Sequence, residues 1–230
     1  LITVAGLRAV QEADVILFDH LAPDLRDQAQ EDAELIEVGK LPRGPATPQE
    51  RINELLIEHA KAGRRVVRLK GGDAFVFGRG GEEWLACAEA GVPVRVVPGV
   101  TSATAVPAIA GIPVTHRTLS QGFTVVSGHV PPGDPRSEVD WAALAVSGAT
   151  LVILMGVANL AAITSALVAA GCDQETPAAV VSAAFSHRQA VLRGTVSDIA
   201  SAAAASGVRP PAITVIGAVA GLDLTGRDDA

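Results

Sequence analysis

The chain has 230 residues, of which 49% are hydrophobic, so it is long enough to bury a large core in one large or two small domains. Its 25 acidic residues outnumber 18 Lys and Arg, and the net charge of -7 argues against general nucleic-acid binding. Aromatic residues make up only 3% of the chain, so the core has to be built from Val, Ile, Leu and Ala.

The two cysteines, Cys87 and Cys172, stand far apart in stretches with a helical pattern. This arrangement indicates neither a disulfide framework nor a metal-ligand cluster, and we expect two inert, buried thiols. No apolar run reaches the roughly 18 residues that a membrane-spanning helix needs, and the start of the chain does not resemble a signal peptide. We therefore expect a cytoplasmic protein that uses neither a metal nor a membrane.

The first half of the chain alternates helical and strand patterns, which predicts an α/β domain with a mostly parallel sheet. The predicted elements are a helix over 3–13 capped by Thr3, strands over 15–18 and 34–38, and a helix that a Thr47-Pro48-Gln49-Glu50 capping box opens and Gly63 stops. A strand around Val66, a helix over 82–90, a strand over 94–97 and a small-residue helix after Thr101 follow.

The second half predicts another α/β domain, with its hinge near Gly111–Arg117. Strands are expected over 123–126, 150–154, 178–181, 189–193 and 211–217, with helices from Asn159 to about 170 and over 195–205. We therefore divide the chain into an N-terminal α/β domain, 1–112, and a C-terminal α/β domain, 113–230.

The stretch from Arg68 to Glu83 concentrates residue types that suit a ligand site. It reads Arg-Leu-Lys-Gly-Gly-Asp-Ala-Phe-Val-Phe-Gly-Arg-Gly-Gly-Glu-Glu. The Gly71–Gly72 pair allows a sharp turn and a close approach to a ligand, and Asp73 stands where a strand ends. Asp19, Lys40, Thr101 and Met155 also follow predicted strands. Each of these residues alone could be an ordinary solvated loop residue, but their joint placement favours a site.

This stretch closely resembles the signature of the uroporphyrinogen-III C-methyltransferases, in the tetrapyrrole methylase family, with Ala74 where the family usually has proline. The resemblance covers most of the chain. Further matching segments are Ile16–Asp19, Glu37–Lys40, Pro48–Asn53, Val97–Ser102, Gly111–Arg117 and Leu154–Gly156. The segment 182–185 departs from it, because Ser-Ala-Ala replaces the usual Glu-Asn-Gly.

The resemblance implies two α/β domains with S-adenosylmethionine and a tetrapyrrole bound in the cleft between them, and a homodimer. The reaction would be C-methylation of uroporphyrinogen III to precorrin-2 through precorrin-1, on the route to siroheme and cobalamin. The cofactor-binding positions carried over by motif are Gly71, Gly72, Asp73, Val76, Thr101, Ser102, Met155, Ala184 and Ala212. The catalytic ones are Asp19 as proton acceptor, Lys40 as proton donor and Arg79, and the substrate-binding ones are Arg79, Glu82 and Arg117.

Other functions stay open at this point. A methyltransferase acting on a later precorrin is the nearest alternative, although the complete Gly-Arg-Gly-Gly-Glu-Glu block favours uroporphyrinogen III. A dinucleotide-binding oxidoreductase is disfavoured because no Gly-x-Gly-x-x-Gly follows a strand. In the family, a first strand and a Gly-x-Gly-Pro-Gly-Asp-Pro loop precede the segment that matches Leu1 onward. We therefore expect a truncated N-terminus, and a non-catalytic binding module if that loop is truly absent.

Overall fold

The computed structural model describes residues 1–39 and 47–225, which form an α/β fold as predicted. The chain divides into two compact units, Leu1–Thr101 and Ser102–Ala230. Lys40 and residues 41–46 lie outside the described residues.

The first unit is built on a three-stranded parallel sheet with the order β2-β1-β3. Its strands are β1 (Val15–Phe18), β2 (Glu34–Glu37) and β3 (Val66–Leu69), and its helices are α1 (Val4–Gln11), α2 (Gln49–Lys61) and α3 (Gly80–Glu89), with a short 3-10 helix at Arg26–Gln28. The predicted parallel arrangement is confirmed in this unit. Thr3 caps α1 as predicted, because its hydroxyl accepts the backbone N–H of Gly6 at 3.1 Å.

Both faces of the central strand β1 are covered. Val15 and Leu17 are fully buried on one face, in a cluster with Ile52 and Leu56 of α2, while Ile16 packs on the other face with Val10 of α1. A strand buried on both sides reads as a continuous apolar run, which is why Val15–Phe18 could be located from the sequence alone.

The strand predicted over 94–97 is wrong. These residues pair with no strand of the described chain. They line, together with β3, a cavity of about 640 Å³ that Leu1, Ile2 and Thr3 also border. A Val-rich run becomes a strand only when the edge of a neighbouring strand is within hydrogen-bonding distance, and among the described strands β3 pairs with β1 alone.

The predicted capping box before α2 is also wrong. Pro48 occupies the N-cap position and no side chain caps the helix. The amide of Gln49 instead donates to Asn53 at 3.2 Å and to Glu83 of α3 at 3.1 Å. Gln49 thus links α2 to α3 rather than serving the start of its own helix.

The second unit contains a five-stranded mixed sheet with the order β4-β5-β8-β6-β7. Its strands are β4 (Phe123–Ser127), β5 (Thr150–Leu154), β6 (Pro177–Ser182), β7 (Ala190–Thr195) and β8 (Ala212–Ile216). The helices are α4 (Ser102–Ile109), α5 (Trp141–Ala145), α6 (Leu160–Ala169) and α7 (Ile199–Ala205), with 3-10 turns at Val157–Asn159 and Ala218–Gly221. Only β4 and β5 run parallel, so most of this sheet is antiparallel.

Three details of the second unit differ from the predictions. α7 starts at Ile199 and not at Thr195, because Thr195 is the last residue of β7. α5 lies between the strands predicted over 123–126 and 150–154, where no helix was predicted, and the carboxylate of Asp140 caps it by accepting the N–H of Ala143 at 2.9 Å. Asn159 stands at the N-cap position of α6, but its side chain donates to carbonyl oxygens before that helix.

The division between the units falls after Thr101, eleven residues before the predicted boundary at 112. The reason is the packing of α4. Ala103 and Val106 lie in one buried cluster with Val152 of β5 and Val215 of β8, so this helix completes the second sheet. The segment after α4, predicted to be a hinge, therefore lies inside the second unit.

Candidate functional site

The carboxyl end of β1 carries Asp19, whose carboxylate is held on both oxygens. Oδ1 accepts the backbone N–H groups of Leu21 and Ala22 at 3.2 and 3.1 Å, and Oδ2 accepts Nη2 of Arg68 at 3.3 Å. The side chain keeps 27% of its surface exposed, so it is oriented without being closed off from solvent.

A buried ion cluster lies behind Asp19. The side chain of Glu83, only 6% exposed, accepts Nε of Arg68 at 3.3 Å and Nζ of Lys70 at 2.8 Å on its Oε1 oxygen. Burial is the main cause of a lowered pKa at Lys70, against which its hydrogen bond to Glu83 acts. The analysis of the sequence did not predict this cluster. The signal was Arg68 itself, a cation inside an apolar strand.

The loop after β3 is fixed by Asp73. Its Oδ1 accepts the N–H of Phe75 within the loop, and its Oδ2 accepts the N–H of Gly99, 26 residues away, both at 2.9 Å. Val76, another predicted cofactor position, is half-buried and donates its backbone N–H to the carbonyl of Asp73 at 3.2 Å. The carboxylate of Asp73 therefore braces this loop onto the segment that follows α3.

The Gly71–Gly72 pair is required by the packing of the chain itself. A Cβ on Gly71 would lie 2.5 Å from the carbonyl oxygen of Leu21, and Gly72 has a φ of +72°. Any side chain at Gly99 would collide with the carbonyl oxygen of Gly72. The glycines thus allow three backbone segments to meet at the carboxyl end of β3, close to Asp19.

Two predicted substrate-binding residues are paired with each other. Arg79 has a left-handed backbone with φ +56°, and its guanidinium contacts the carboxylate of Glu82 through two hydrogen bonds of 2.9 and 2.5 Å. Both side chains are 55% exposed. The guanidinium beside it holds the pKa of Glu82 below its usual value, and the same pairing raises the pKa of Arg79.

The second unit brings its own predicted cofactor residues together at one edge of its sheet. The register places Leu154 opposite Ile213 and Ser182 opposite Ala212. Met155 follows β5, Ala212 opens β8, and Ala184 comes two residues after β6, so all three lie at the same edge. The N–H of Ala183 donates to the carbonyl of Pro211 at 3.0 Å and joins two of these loops.

This edge also concentrates backbone strain. Met155, Ala183 and Phe185 have φ values of +57°, +47° and +63°. Residues other than glycine adopt this left-handed backbone conformation at a cost of about 1–3 kcal/mol each. The side chains of Met155 and Phe185 are about half exposed, while Ala184 and Ala212 are partly buried. The result is an accessible edge to which Met155, Ala184 and Ala212 contribute apolar side chains and backbone polar groups.

The remaining predicted residues in the described part of the chain are Thr101, Ser102 and Arg117. Thr101 is the last residue of the first unit, and Ser102 opens α4 in the second. Arg117 is exposed in a turn that two backbone hydrogen bonds between His116 and Ser120 close, at 2.8 and 2.9 Å. Among the described residues there is no group of three or more acidic, His or Cys side chains that could hold a metal ion, and no helix long and apolar enough to cross a membrane.

Comparison with known proteins adds the family. The sequence profile of the Tetrapyrrole (Corrin/Porphyrin) Methylases matches residues 1–200. The chain belongs to the tetrapyrrole methylase family.

Within the family, the chain is similar to a uroporphyrinogen-III C-methyltransferase from Methanocaldococcus jannaschii. The two are 46% identical over 221 residues, which cover 95% of this chain and 90% of that protein. The chain is also similar to siroheme synthases but spans about half their length, 47% in the one from Tolumonas auensis, to which it is 47% identical.

Two solved structures share the fold over nearly the whole tetrapyrrole methylase chain. The uroporphyrin-III C-methyltransferase from Thermus thermophilus, in complex with S-adenosyl homocysteine, is 38% identical and has a TM-score of 0.76, with 94% of this chain and 91% of that chain covered. A cobalt precorrin-4 methyltransferase of cobalamin biosynthesis is 26% identical with a TM-score of 0.83, covering 96% and 90% of the two chains.

Proposed function

We propose that this tetrapyrrole methylase transfers methyl groups from S-adenosylmethionine to carbon atoms of uroporphyrinogen III, and so makes precorrin-2 through precorrin-1 for siroheme or cobalamin synthesis. The observation that carries the proposal is the Gly71–Glu83 segment. It retains all but one position of the signature and folds into a braced loop, an exposed Arg79–Glu82 pair and the start of α3.

The residues of the second unit fit the cofactor. Met155, Ala184 and Ala212 offer apolar surface and backbone polar groups, which suit an adenosyl group better than they suit a phosphate or a metal. In the first unit Gly71, Gly72, Asp73, Val76 and Thr101 would contribute, with Ser102 from α4. When bound, S-adenosylmethionine supplies the methyl group from its sulfonium, and these residues would hold and orient it.

The substrate would be held by cations and relieved of a proton by Asp19. Uroporphyrinogen carries carboxylates around its ring, and a guanidinium can bind a carboxylate through two parallel hydrogen bonds. We assign this role to Arg79 and Arg117, both exposed, with Glu82 orienting Arg79. Methylation of a pyrrole carbon leaves a proton to be removed, and Asp19 is an oriented carboxylate with an accessible face. Lys40 keeps its proposed role as proton donor.

A later precorrin is the second candidate substrate. The higher TM-score of the cobalt precorrin-4 methyltransferase favours it, whereas the higher identities of the two uroporphyrinogen enzymes favour uroporphyrinogen III. Fold similarity within one family does not select a substrate, so we give greater weight to sequence identity. Incubation with uroporphyrinogen III and S-adenosylmethionine, followed by mass spectrometry, separates the two candidates: two added methyl groups support our proposal, and an unmethylated tetrapyrrole supports the alternative.

Calorimetry tests the cofactor separately from the reaction. We expect S-adenosylhomocysteine to bind at micromolar concentration or tighter, which corresponds to about -8 kcal/mol, and NAD to bind far more weakly. Tighter binding of NAD would overturn the proposal in favour of a dinucleotide enzyme.

Finally, we propose a cytoplasmic homodimer in which each subunit has an N-terminal and a C-terminal α/β domain. The free state of both cysteines, Cys87 and Cys172, supports a reducing compartment, and the family resemblance supports the dimer. Sedimentation analysis tests the oligomeric state. A monomer at working concentration would contradict it.

A further inference from the structure

We propose that Arg68 is a positioning residue for Asp19, and that the buried carboxylate of Glu83 fixes Arg68 in that role. The inference rests on the proposed function, because it concerns the proton acceptor of that reaction. It assigns a task to the buried ion cluster, which the reading of the sequence left without one.

The first step is the reach of the Arg68 guanidinium. Its Nη2 donates to Oδ2 of Asp19 at 3.3 Å, and its Nε donates to Oε1 of Glu83 at 3.3 Å. Its Nη1 donates to the carbonyls of Leu17 at 3.4 Å and Leu69 at 3.0 Å. One planar group therefore joins the carboxyl ends of β1 and β3 to α3, and its donors point in fixed directions.

The second step is the cost of this arrangement. The side chain of Arg68 is 13% exposed and that of Glu83 is 6% exposed. The other residues of β3, the strand that carries Arg68, are apolar. Two hydrophobic residues of similar size are often as stable as a buried ion pair, so a buried pair is poorly explained by stability alone. Specific orientation of a third group is a better-founded reason for keeping the charges.

The third step is what remains when Arg68 is taken away. Oδ1 of Asp19 would keep its two backbone donors, but Oδ2 would lose the partner that sets the rotation of the carboxylate. Glu83 would keep Lys70 and Gln49 as donors. The lost function is therefore the orientation of Asp19, while the centre of the cluster stays paired.

The chain offers a matched control. Arg65 lies just before β3 and Asp14 just before β1, where Nη2 of Arg65 is 3.5 Å from Oδ1 of Asp14 and its backbone N–H donates to Oδ2 at 2.7 Å. This second Arg–Asp pair joins the same two strands at their opposite ends and is largely exposed. Arg65→Gln thus removes a similar interaction far along the strands from the candidate site.

We expect Arg68→Gln to lower kcat by about ten- to a hundred-fold, because small misplacements of a reacting group cost this much. KM for uroporphyrinogen III and the Kd of S-adenosylhomocysteine should stay within about two-fold, since neither ligand touches Arg68 in this proposal. The kcat of Arg68→Lys should lie between those of the parent and Arg68→Gln, because the ammonium keeps the charge but cannot bridge Asp19 and Glu83. Arg65→Gln should retain the parent kcat.

A double-mutant cycle decides whether Arg68 acts through Asp19. In an Asp19→Asn background, Arg68→Gln should change kcat by less than about two-fold, because coupled residues are strongly non-additive. If Arg68→Gln proves too unstable to purify, Glu83→Gln replaces it in the experiment. This variant keeps an acceptor for Arg68 but loses the carboxylate charge that fixes it, so it should also lower kcat. Full multiplication of the two single effects, or a parent-like kcat in Arg68→Gln, would overturn the proposal.

NMR provides a readout that does not need turnover. The amide protons of Leu21 and Ala22 report the orientation of the Asp19 carboxylate that they contact. They should shift in Arg68→Gln and stay in place in Arg65→Gln. Unmoved amides would overturn the positioning role even if the parent proved unable to methylate uroporphyrinogen III, whereas shifted amides with an inactive parent would contradict the proposed function alone.

Discussion

At the scale of single residues, the Asp19 and Asp73 carboxylates at the edge of the first sheet accept hydrogen bonds from other groups of the chain on both of their oxygens. Asp19 accepts a backbone N–H of its own loop and the buried guanidinium of Arg68, and Asp73 accepts backbone N–H groups from two separate segments. A side chain that is both oriented by its neighbours and partly accessible is suited to act on a ligand without reorganisation. Replacing it is therefore expected to change both local structure and function, and experiments have to separate the two.

Asp73→Ala is expected to lower the free energy of unfolding by about 1–3 kcal/mol, because two backbone N–H groups lose a charged acceptor. The affinity for S-adenosylhomocysteine should fall as well, by about 1.5–3 kcal/mol if the carboxylate also meets the ligand. Urea denaturation and calorimetry measure the two effects.

The matched control for Asp73 is Asp134→Ala. Asp134 accepts the backbone N–H and the guanidinium of Arg136, two residues away, whereas Asp73 also reaches the N–H of Gly99, 26 residues away. It should leave cofactor affinity unchanged. If Asp73→Ala loses stability and keeps full affinity, Asp73 is a loop brace only.

Arg79→Gln is expected to raise the pKa of Glu82 back toward its ordinary value, because the guanidinium holds it down in the parent. A lowered carboxyl pKa adds stability above the ordinary pKa, and this stability is lost as the pH falls through the lowered value. Both side chains are exposed, so the effect on stability should be small. NMR titration of the Glu82 carboxyl carbon measures the shift.

The same variant should raise KM for the tetrapyrrole, since one carboxylate-binding cation is gone. Arg136→Gln removes a similarly local ion pair, between Arg136 and Asp134, whose guanidinium is exposed, and it should leave KM unchanged. Parent-like KM in Arg79→Gln would remove Arg79 from substrate binding.

At the scale of the elements, the difference between β1 and the 94–97 segment shows what a local pattern can and cannot predict. Both are short, mainly apolar runs, although Arg95 interrupts the second. Val15–Phe18 is paired on both sides, whereas Val94–Val97 is not paired within the described chain. Strand formation depends on a neighbouring edge, which the run itself does not encode.

Native-state hydrogen exchange tests this difference within one unit. The amides of Val94, Val96 and Val97 should exchange at least about a hundred-fold faster than those of Ile16 and Leu17, because unpaired backbone groups open without breaking a sheet. Comparable protection in the two segments would mean that another strand pairs with 94–97 in solution.

The sequence was sufficient for elements whose signals are local. Apolar runs placed β1, β3 and β5, and glycines with positive φ, such as Gly63 and Gly91, marked helix ends. It was insufficient where partners decide the outcome. The second sheet is mostly antiparallel, α4 packs in the second unit, and the amide of Gln49 reaches Glu83 of α3 as well as Asn53 of its own helix.

The candidate site divides in the same way. The motif located Asp19, Asp73, Arg79 and Glu82, whose neighbours the structure then supplied. The Arg68–Glu83 ion pair was missed because a strand charge and a helix-start acid, fifteen residues apart, share no local pattern. Three-dimensional proximity of this kind becomes visible only once β3 and α3 have their positions.

At the scale of the whole molecule, the global charge opposes the proposed substrate. The protein carries a net charge of -7, and uroporphyrinogen is itself an anion with several carboxylates. Local cations such as Arg79 and Arg117 must therefore provide attraction against a repulsive background, and field focusing around a few guanidinium groups can do so. Raised salt screens attraction and repulsion alike beyond the Debye length, which is about 8 Å at physiological ionic strength.

A salt series separates the contact pairs from the background. We expect KM for the tetrapyrrole to rise with salt, because the exposed guanidinium–carboxylate contacts are screened, while the Kd of S-adenosylhomocysteine changes little. Arg117→Lys should already raise KM at low salt, since an ammonium keeps the charge but loses the two-pronged geometry. Arg188→Lys is the control, because Arg188 is an exposed arginine of the second unit with no proposed role. If KM instead falls with salt, the global repulsion dominates. If KM changes neither with salt nor in Arg117→Lys, these arginines do not bind the substrate carboxylates.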